Sequence, residues 1–325
     1  MADSIWDLAD LATPMAVRVA ATLRVGDHIA AGRTSAEAIA ADAGVDAPTL
    51  DRVLKHLVTA GVLTTADGGY GLTELGEQLR GETGVRAWLD IDGAVGRADL
   101  CFVDMLHTVR TGEPAFPQRY GRDFWADLAA DPVLSDSFDA LMEHHADEDR
   151  RGVGGSYDWG SLGSIVDVGG GNGTLLTALL RRYPLLRGTV VDLAGPAAAA
   201  RKAFHDNELS DRADAVAGSF FDPLPAGAGG YLLSSVIHDW CDEDARAILR
   251  RCAEAAAPRG RVFVIETIGA DAHSPSTEMD LRMLAYVNGK ERTADEYTAL
   301  AASAGLRTAA LHPAGPEAWI LELTP

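Results

Sequence analysis

Residues Ser164 to Thr174 read Ser-Ile-Val-Asp-Val-Gly-Gly-Gly-Asn-Gly-Thr, a short apolar run that ends in an acid, a valine and a cluster of glycines. That pattern is a buried parallel strand entering a tight turn that opens a helix. Glycine has no Cβ, so such a turn brings bare backbone up to a ligand at the helix N-terminus. Asp192 follows 23 residues after Gly169, at the end of the next apolar run, Gly188 to Val191. An acid at about that interval, closing the second strand of a βαβ unit, is placed to accept both hydroxyls of a ribose. The chemistry implied is binding of a nucleoside-containing cofactor. A nicotinamide dinucleotide is one candidate, with a G-x-G-x-x-G fingerprint. Here the glycines are 169, 170, 171 and 173, and Thr174 stands where the third should be, so that match is poor.

The elements that would position these residues alternate from Tyr157 onward. Strands are expected at 164–168, 188–192, 213–217, 230–236 and 260–266, with helices between them. Helices at 276–286 and 293–304 and strands near 306–311 and 317–323 complete the region. Such alternation means a parallel sheet with helices on both faces. Ligands then sit at the carboxyl ends of the strands, where Gly169, Asp192, Ser234 and Glu266 fall.

The N-terminal part is of another kind. Thr13 and Pro14 read as N-cap and first helical position of a helix from Met15 through Leu23. Its apolar surface is too wide for a solvent-exposed helix, so it is core or packs on another subunit. Residues 34–82 read as a winged helix. Thr34-Ser35-Ala36-Glu37 is a capping box. A second helix runs from Ala47 to Ala60, with Leu50, Val53, Leu54, Leu57 and Val58 on one face. A hairpin follows around Ala66-Asp67-Gly68. DNA binding would need a basic second helix, yet only Arg52 and Lys55 are offered, beside Asp46 and Asp51. A dimerisation module is the favoured reading. Residues 83–150 are expected to be mainly helical, and their aromatics (Trp88, Phe102, Phe116, Tyr120, Phe124, Trp125, Phe138) are core or line a pocket for a flat substrate.

Composition narrows the class. The chain has 325 residues, 47% of them hydrophobic, and a formal net charge of -20. Length suits about two domains. The charge disfavours a nucleic-acid partner. No stretch has the roughly 20 apolar residues of a membrane span, and the first residues carry acids rather than the lysine or arginine of a signal peptide. A cytoplasmic protein is therefore expected, with Cys101, Cys241 and Cys252 as reduced thiols.

After the third strand comes Gly218-Ser219-Phe220-Phe221-Asp222-Pro223-Leu224-Pro225. A glycine-rich first turn, an acid ending strand two and this loop together resemble class I S-adenosylmethionine-dependent methyltransferases. Ile237-His238-Asp239-Trp240, Glu266, Asp280-Leu281-Arg282-Met283-Leu284 and Gly289-Lys290-Glu291-Arg292-Thr293 narrow the resemblance. It is to the plant and actinobacterial small-molecule O-methyltransferases, and it covers essentially the whole chain. The nearest likeness is to actinobacterial enzymes that methylate phenols of aromatic polyketides and naphthoic acids in antibiotic pathways.

The resemblance implies a Rossmann-like doubly wound α/β sheet with an N-terminal, mainly helical winged-helix dimerisation domain. It implies a dimerisation domain at 1–95, a helical connecting region lining the substrate pocket at 96–150, and an S-adenosylmethionine-binding catalytic domain at 151–325, in a homodimer. Gly169 and Gly171 would meet the methionine end of the cofactor, Asp192 the ribose, and Ser219 and Phe220 the adenine, with Ser234 by the cofactor at the end of the fourth strand. Met142, Asp239, Met279 and Met283 are the substrate contacts expected. Asn288 stands where many relatives have glycine, so a side chain projects at that contact.

A phenol has a pKa of about 10, and a neutral histidine near 6.5 takes its proton as attack proceeds. His238 is assigned that role. Glu266 and Glu291 would orient its ring and stabilise the imidazolium, as the family pattern implies. No metal is expected: His144 and His145, within Glu143 to Asp149, are adjacent on a helix and point about 100° apart. The alternatives are a relative that uses the bound sulfonium for hydroxylation or decarboxylation, against which the intact His-Asp-Trp weighs, and a winged-helix regulator, against which the missing basic helix weighs.

Overall fold

The structure, a computed structural model, describes residues 4–66, 68–81, 84–273 and 276–325, with side chains described for all of these except Asp7 and residues 143–151. The residues Glu143 to Asp149 weighed above for metal binding thus lie outside the described side chains. The chain forms two compact units, Met1–Cys101 with Ala130–Leu141, and Phe102–Ala129 with Met142–Pro325.

In the first unit, helices Ala36–Ala43 and Ala47–Thr59 precede a hairpin of β1 (Leu63–Ala66) and β2 (Gly69–Leu72). Helix Ala47–Thr59 buries Leu50, Leu54 and Leu57 among Ile39, Val62, Leu63 and Tyr70. Its start is fixed by Asp46, whose carboxylate accepts the Thr49 amide, and by Pro48 in the first turn, where an amide has no partner to lose. Lys55, one of its two basic residues, is tied to Asp51.

Two starts differ from the expectation. The cap of Ala36–Ala43 is Ser35, which accepts the Ala38 amide, rather than a box between Thr34 and Glu37. Thr34, just before the cap, gives its carbonyl to the Tyr70 amide in the hairpin. The earlier helix spans Ala12–Thr22, because the Asp10 carboxylate caps the amides of Ala12 and Thr13. Pro14 then falls in its first turn.

The second unit is a seven-stranded sheet of β3 (Ser164–Val168), β4 (Arg187–Asp192), β5 (Ala213–Ala217), β6 (Gly230–Ser234), β7 (Arg261–Thr267), β8 (Arg307–Pro313) and β9 (Ala318–Thr324). Strand order is β5-β4-β3-β6-β7-β9-β8. Strands β3 to β7 pair in parallel, while β9 runs antiparallel between β7 and β8. The four residues 314–317 between β8 and β9 are too few for a crossover, so this pair closes as a hairpin. Strand β6 stops at Ser234 rather than 236, since Ser235 adopts φ +51.

Alternate residues of the strands feed opposite faces. Val166, Val168, Tyr231, Leu233, Val262 and Val264 pack with helices Asp242–Ala256 and Ala294–Ser303. Ile165, Val190, Leu232, Phe263 and Ile265 pack with Thr174–Arg182 and Ala194–Asp206. Burial on both faces explains the unbroken apolar runs in the sequence. Neighbours β4 and β6 lie on opposite sides of β3. A crevice opens at such a switch point, at the carboxyl end of β3. Phe116 and Phe124 are buried, and Phe124 stacks on Tyr286 with centroids 5.8 Å apart. These two rings are core.

Candidate active site

The turn after β3 is built as the glycines require. Gly169 and Gly171 take φ +72 and +57, left-handed values that L side chains rarely adopt. A Cβ on Gly169 would lie 2.9 Å from Val236 Cγ2, whereas the space beside Gly171 is open. Asp192, at the end of β4, accepts the Gly171 amide at 2.8 Å and the Leu193 amide at 2.6 Å, one on each carboxylate oxygen. Each oxygen keeps a further lone pair for a ribose hydroxyl. Burial raises the Asp192 pKa, and the two amides oppose that.

Asp167, one strand over, was not singled out in the sequence. It is 1% exposed, its Oδ2 has no partner, and burial together with Asp192 pushes its pKa up to about 7. The signal available was an acid inside an apolar strand. Ser219 and Phe220 follow β5; the Ser219 hydroxyl accepts the Phe221 amide at 3.2 Å, and the Phe220 ring meets Trp240 edge-on at 5.6 Å. The ring also comes within 3.5 Å of the Cβ position of Gly169. Ser234 is half-buried at the end of β6. Gly169, Gly171, Asp192 and Phe220 thus converge on one crevice, and its bare backbone and spare carboxylate lone pairs fit a nucleoside cofactor with an amino-acid tail.

His238 sits on the short 3-10 turn Ile237–Asp239 beyond β6. Its Nδ1 lies 2.7 Å from Glu291 Oε1 and 3.9 Å from Glu266 Oε2, and its Nε2 lies 3.5 Å from Asp239 Oδ1. Glu291 accepts, so the proton of the neutral ring belongs on Nδ1 and Nε2 keeps its lone pair. Glu266, 2% exposed at the end of β7, accepts the amides of Ile237 (2.9 Å) and His238 (3.3 Å) through Oε1. Its Oε2 makes no hydrogen bond and faces the His238 ring at 3.9 Å. The sequence expected both glutamates to flank the ring; Glu291 does so directly, and Glu266 mainly fixes the turn that carries it.

Burial pushes the His238 pKa down, but Asp239, Glu266 and Glu291 push it up more strongly, to about 10. Burial raises Asp239 to about 6 and Glu266 to about 7, and in both the nearby His238 opposes the shift. The His238 value differs from the histidine near 6.5 expected from sequence. Carboxylates from three separate segments meet at one ring, and no linear spacing announces that.

The remaining expected contacts are more dispersed. Met279 and Met283 lie one turn apart on helix Thr277–Tyr286, the first half-buried and the second buried. Asp280 of that helix accepts the Glu291 amide at 2.9 Å, which joins the methionine helix to the segment whose carboxylate meets His238. Asn288 is exposed at φ +59, a conformation asparagine tolerates better than most residues. Met142 is half-buried on helix Pro132–Ser156.

Among the described residues no group of three or more His, Cys, Asp or Glu could hold a metal ion, and no helix is long and apolar enough to cross a membrane. Residues 102–307 match the O-methyltransferase domain family, and residues 6–80 match the O-methyltransferase dimerisation domain. The chain belongs to the O-methyltransferase family. One O-methyltransferase relative, 2,7-dihydroxy-5-methyl-1-naphthoate 7-O-methyltransferase of Streptomyces carzinostaticus, is 60% identical over 309 residues, 94% of this chain and 93% of that protein. Aclacinomycin 10-hydroxylase RdmB of Streptomyces purpurascens is 47% identical over 319 residues, 95% and 85% of the two chains. The crystal structure of the O-methyltransferase NcsB1 from neocarzinostatin biosynthesis, in complex with S-adenosylmethionine and 2-hydroxy-5-methyl naphthoic acid, superposes with a TM-score of 0.95 at 58% identity over 99% of each chain. This O-methyltransferase therefore shares its whole length, and not only the cofactor-binding sheet, with a methyl-transferring relative.

Proposed function

We propose that this O-methyltransferase uses S-adenosylmethionine to methylate a phenolic hydroxyl of an aromatic natural product of the polyketide or naphthoic acid type. The observation that carries this is His238, held between Glu291 and Asp239 so that in the neutral ring Nε2 is the nitrogen left to take a proton. Gly169 and Gly171 would receive the methionine end of the cofactor, Asp192 the ribose, and Ser219 and Phe220 the adenine, with Ser234 beside the cofactor at the end of β6. Bound S-adenosylmethionine supplies an electrophilic methyl carbon and a positive charge that opposes the imidazolium. His238 Nε2 accepts the phenolic proton. Glu291 holds the Nδ1 hydrogen and so fixes the tautomer, while Glu266 anchors the turn through two amides. The carboxylates of Asp239, Glu266 and Glu291, which raise the His238 pKa in the free protein, favour the imidazolium that forms when the ring takes the proton. Met142, Asp239, Met279, Met283 and Asn288 are the proposed acceptor contacts.

The reading includes a homodimer formed through the N-terminal domain (1–95), a connecting region (96–150) that lines the acceptor pocket, and a catalytic domain (151–325). It also includes a cytoplasmic location, which suits Cys101, Cys241 and Cys252 standing outside any disulfide.

The test incubates the protein with S-adenosylmethionine and a panel of hydroxylated naphthoates, anthracyclines and simple phenols. S-adenosylhomocysteine and methylated acceptor are followed by mass spectrometry. The 47% identity to a hydroxylase makes hydroxylated or decarboxylated acceptor the second product to look for. Cofactor binding without S-adenosylhomocysteine from any acceptor would sink the methyl-transfer reading.

A further inference from the structure

Arg292 is buried, with its side chain 1% exposed. A guanidinium so placed needs partners for five N–H donors. All five find acceptors. Nε reaches Asp242 Oδ1 at 3.0 Å. Nη2 reaches the same oxygen at 2.7 Å and the Trp240 carbonyl at 2.8 Å. Nη1 reaches the carbonyls of Ile237 and Lys290, each at 3.1 Å. The Tyr297 ring lies 5.8 Å from its carbon Cζ.

The acceptors are not scattered. Ile237 and Trp240 bracket His238 and Asp239, and Lys290 precedes Glu291. One planar group thus ties the turn that carries the base to the strap that carries the base's carboxylate. The same seam is closed by the Lys290 amide, which donates to the His238 carbonyl at 2.8 Å. It is also closed by Gly289, where a Cβ would lie 2.2 Å from that carbonyl.

We propose that Arg292 is a positioning residue for proton transfer, a clamp that sets the His238–Glu291 contact without touching either substrate. The proposal rests on the proposed role of His238 as base. Lysine cannot replace the clamp, because its ammonium has three donors and no rigid fork, and at least two of the carbonyl and carboxylate contacts are lost.

The test compares wild type, Arg292→Lys and Asp242→Asn. Lysine keeps the charge, so its effect reports geometry. Asp242 is 60% exposed and its variant weakens only one end of the clamp. The Nδ1 proton and the pKa of His238 are read by NMR in each ligand-free protein, with His238→Gln to assign the signals. Turnover is measured with an acceptor that the wild type methylates. Arg292→Lys is expected to lose the downfield Nδ1 proton, to lower the His238 pKa, and to lower kcat about a hundredfold with KM for S-adenosylmethionine unchanged. Asp242→Asn is expected to move the same readings less far. A folded Arg292→Lys whose His238 signals match wild type overturns the proposal, whatever its turnover. Should that variant not fold, Asp242→Asn decides on the same signals: a shift supports the clamp and a wild-type spectrum overturns it. If the wild type methylates nothing, the reaction assigned to the site fails, while the NMR readings still test the clamp.

Discussion

The Nδ1 atom of His238 lies 2.7 Å from Oε1 of Glu291, although 53 residues of chain separate them. This contact decides which nitrogen of the ring is free. With the hydrogen on Nδ1 engaged, only Nε2 has a lone pair for a phenolic proton. Glu266 contributes differently, through the backbone amides of Ile237 and His238. The carboxylates thus divide the work: one orients the ring and the other shapes the turn.

Removing the ring should cripple turnover and spare cofactor binding. General-base help is worth roughly 10²–10⁴ in rate, so His238→Ala is expected to lose kcat by about that factor. Calorimetric titration with S-adenosylmethionine should give wild-type affinity, because the Gly169 turn and Asp192 are untouched. Full turnover in the variant would remove His238 from the role of base.

The two glutamates should fail in distinct ways. Glu291→Gln keeps an oxygen for the Nδ1 hydrogen but loses a charge, so catalysis should fall while thermal stability holds. Glu266→Ala leaves two amides without their acceptor in a site where Glu266 is 2% exposed. Each orphaned buried donor costs about 1–3 kcal/mol, so this variant should unfold at lower temperature. Equal melting temperatures for the two would contradict the division drawn above.

The contrast between residues that spacing betrays and residues that it hides has a physical origin. Gly169, Gly171 and Asp192 were legible because strand, turn and strand follow one another in sequence, and the positive φ values demand glycine. Glu291 was named only through a family resemblance, since a Lys-Glu-Arg run looks like surface until folding buries it. Arg292 and Asp280 are hidden for the same reason: their partners come from remote segments. The helix start shifts by one residue, with Ser35 rather than Thr34 as the cap, and local spacing does not separate two adjacent hydroxyl residues. The direction of β9 depends on the short connection before it: four residues, 314–317, in the structure and five between the expected strand ends at 311 and 317, too few in either case for a crossover.

The pH profile follows from the charges around the ring. Only neutral imidazole accepts a proton, and His238 in the free enzyme is held at about 10, above the usual 6.5. The active form therefore grows as pH rises toward that value, so kcat/KM should climb through the range of about pH 7 to 9 rather than level off near 6.5. Since a raised histidine pKa favours the folded state below the unfolded value and loses that contribution as pH passes the folded one, the gain in rate should come with a slow loss of stability toward pH 10. A kcat/KM profile flat above pH 7 would mean that the carboxylates do not hold the proton as described.

Two glycines of the β3 turn separate strain from contact. At Gly169 an added methyl meets both a positive φ and the Val236 side chain at 2.9 Å, so Gly169→Ala should lower the melting temperature and weaken S-adenosylmethionine binding together. At Gly171 the φ of +57 is the only conflict, because nothing of the protein lies within 4 Å of the new Cβ. The backbone cost there is about 1–2 kcal/mol, and Gly171→Ala should fold with a modest loss of stability. If the cofactor's methionine end occupies that open space, the methyl also obstructs it, and the affinity should fall by more than the stability change explains. Calorimetric titration beside a thermal melt separates the two contributions. Wild-type affinity in a folded Gly171→Ala protein would place the cofactor elsewhere along the turn, with Gly169 and Asp192 left to define its position.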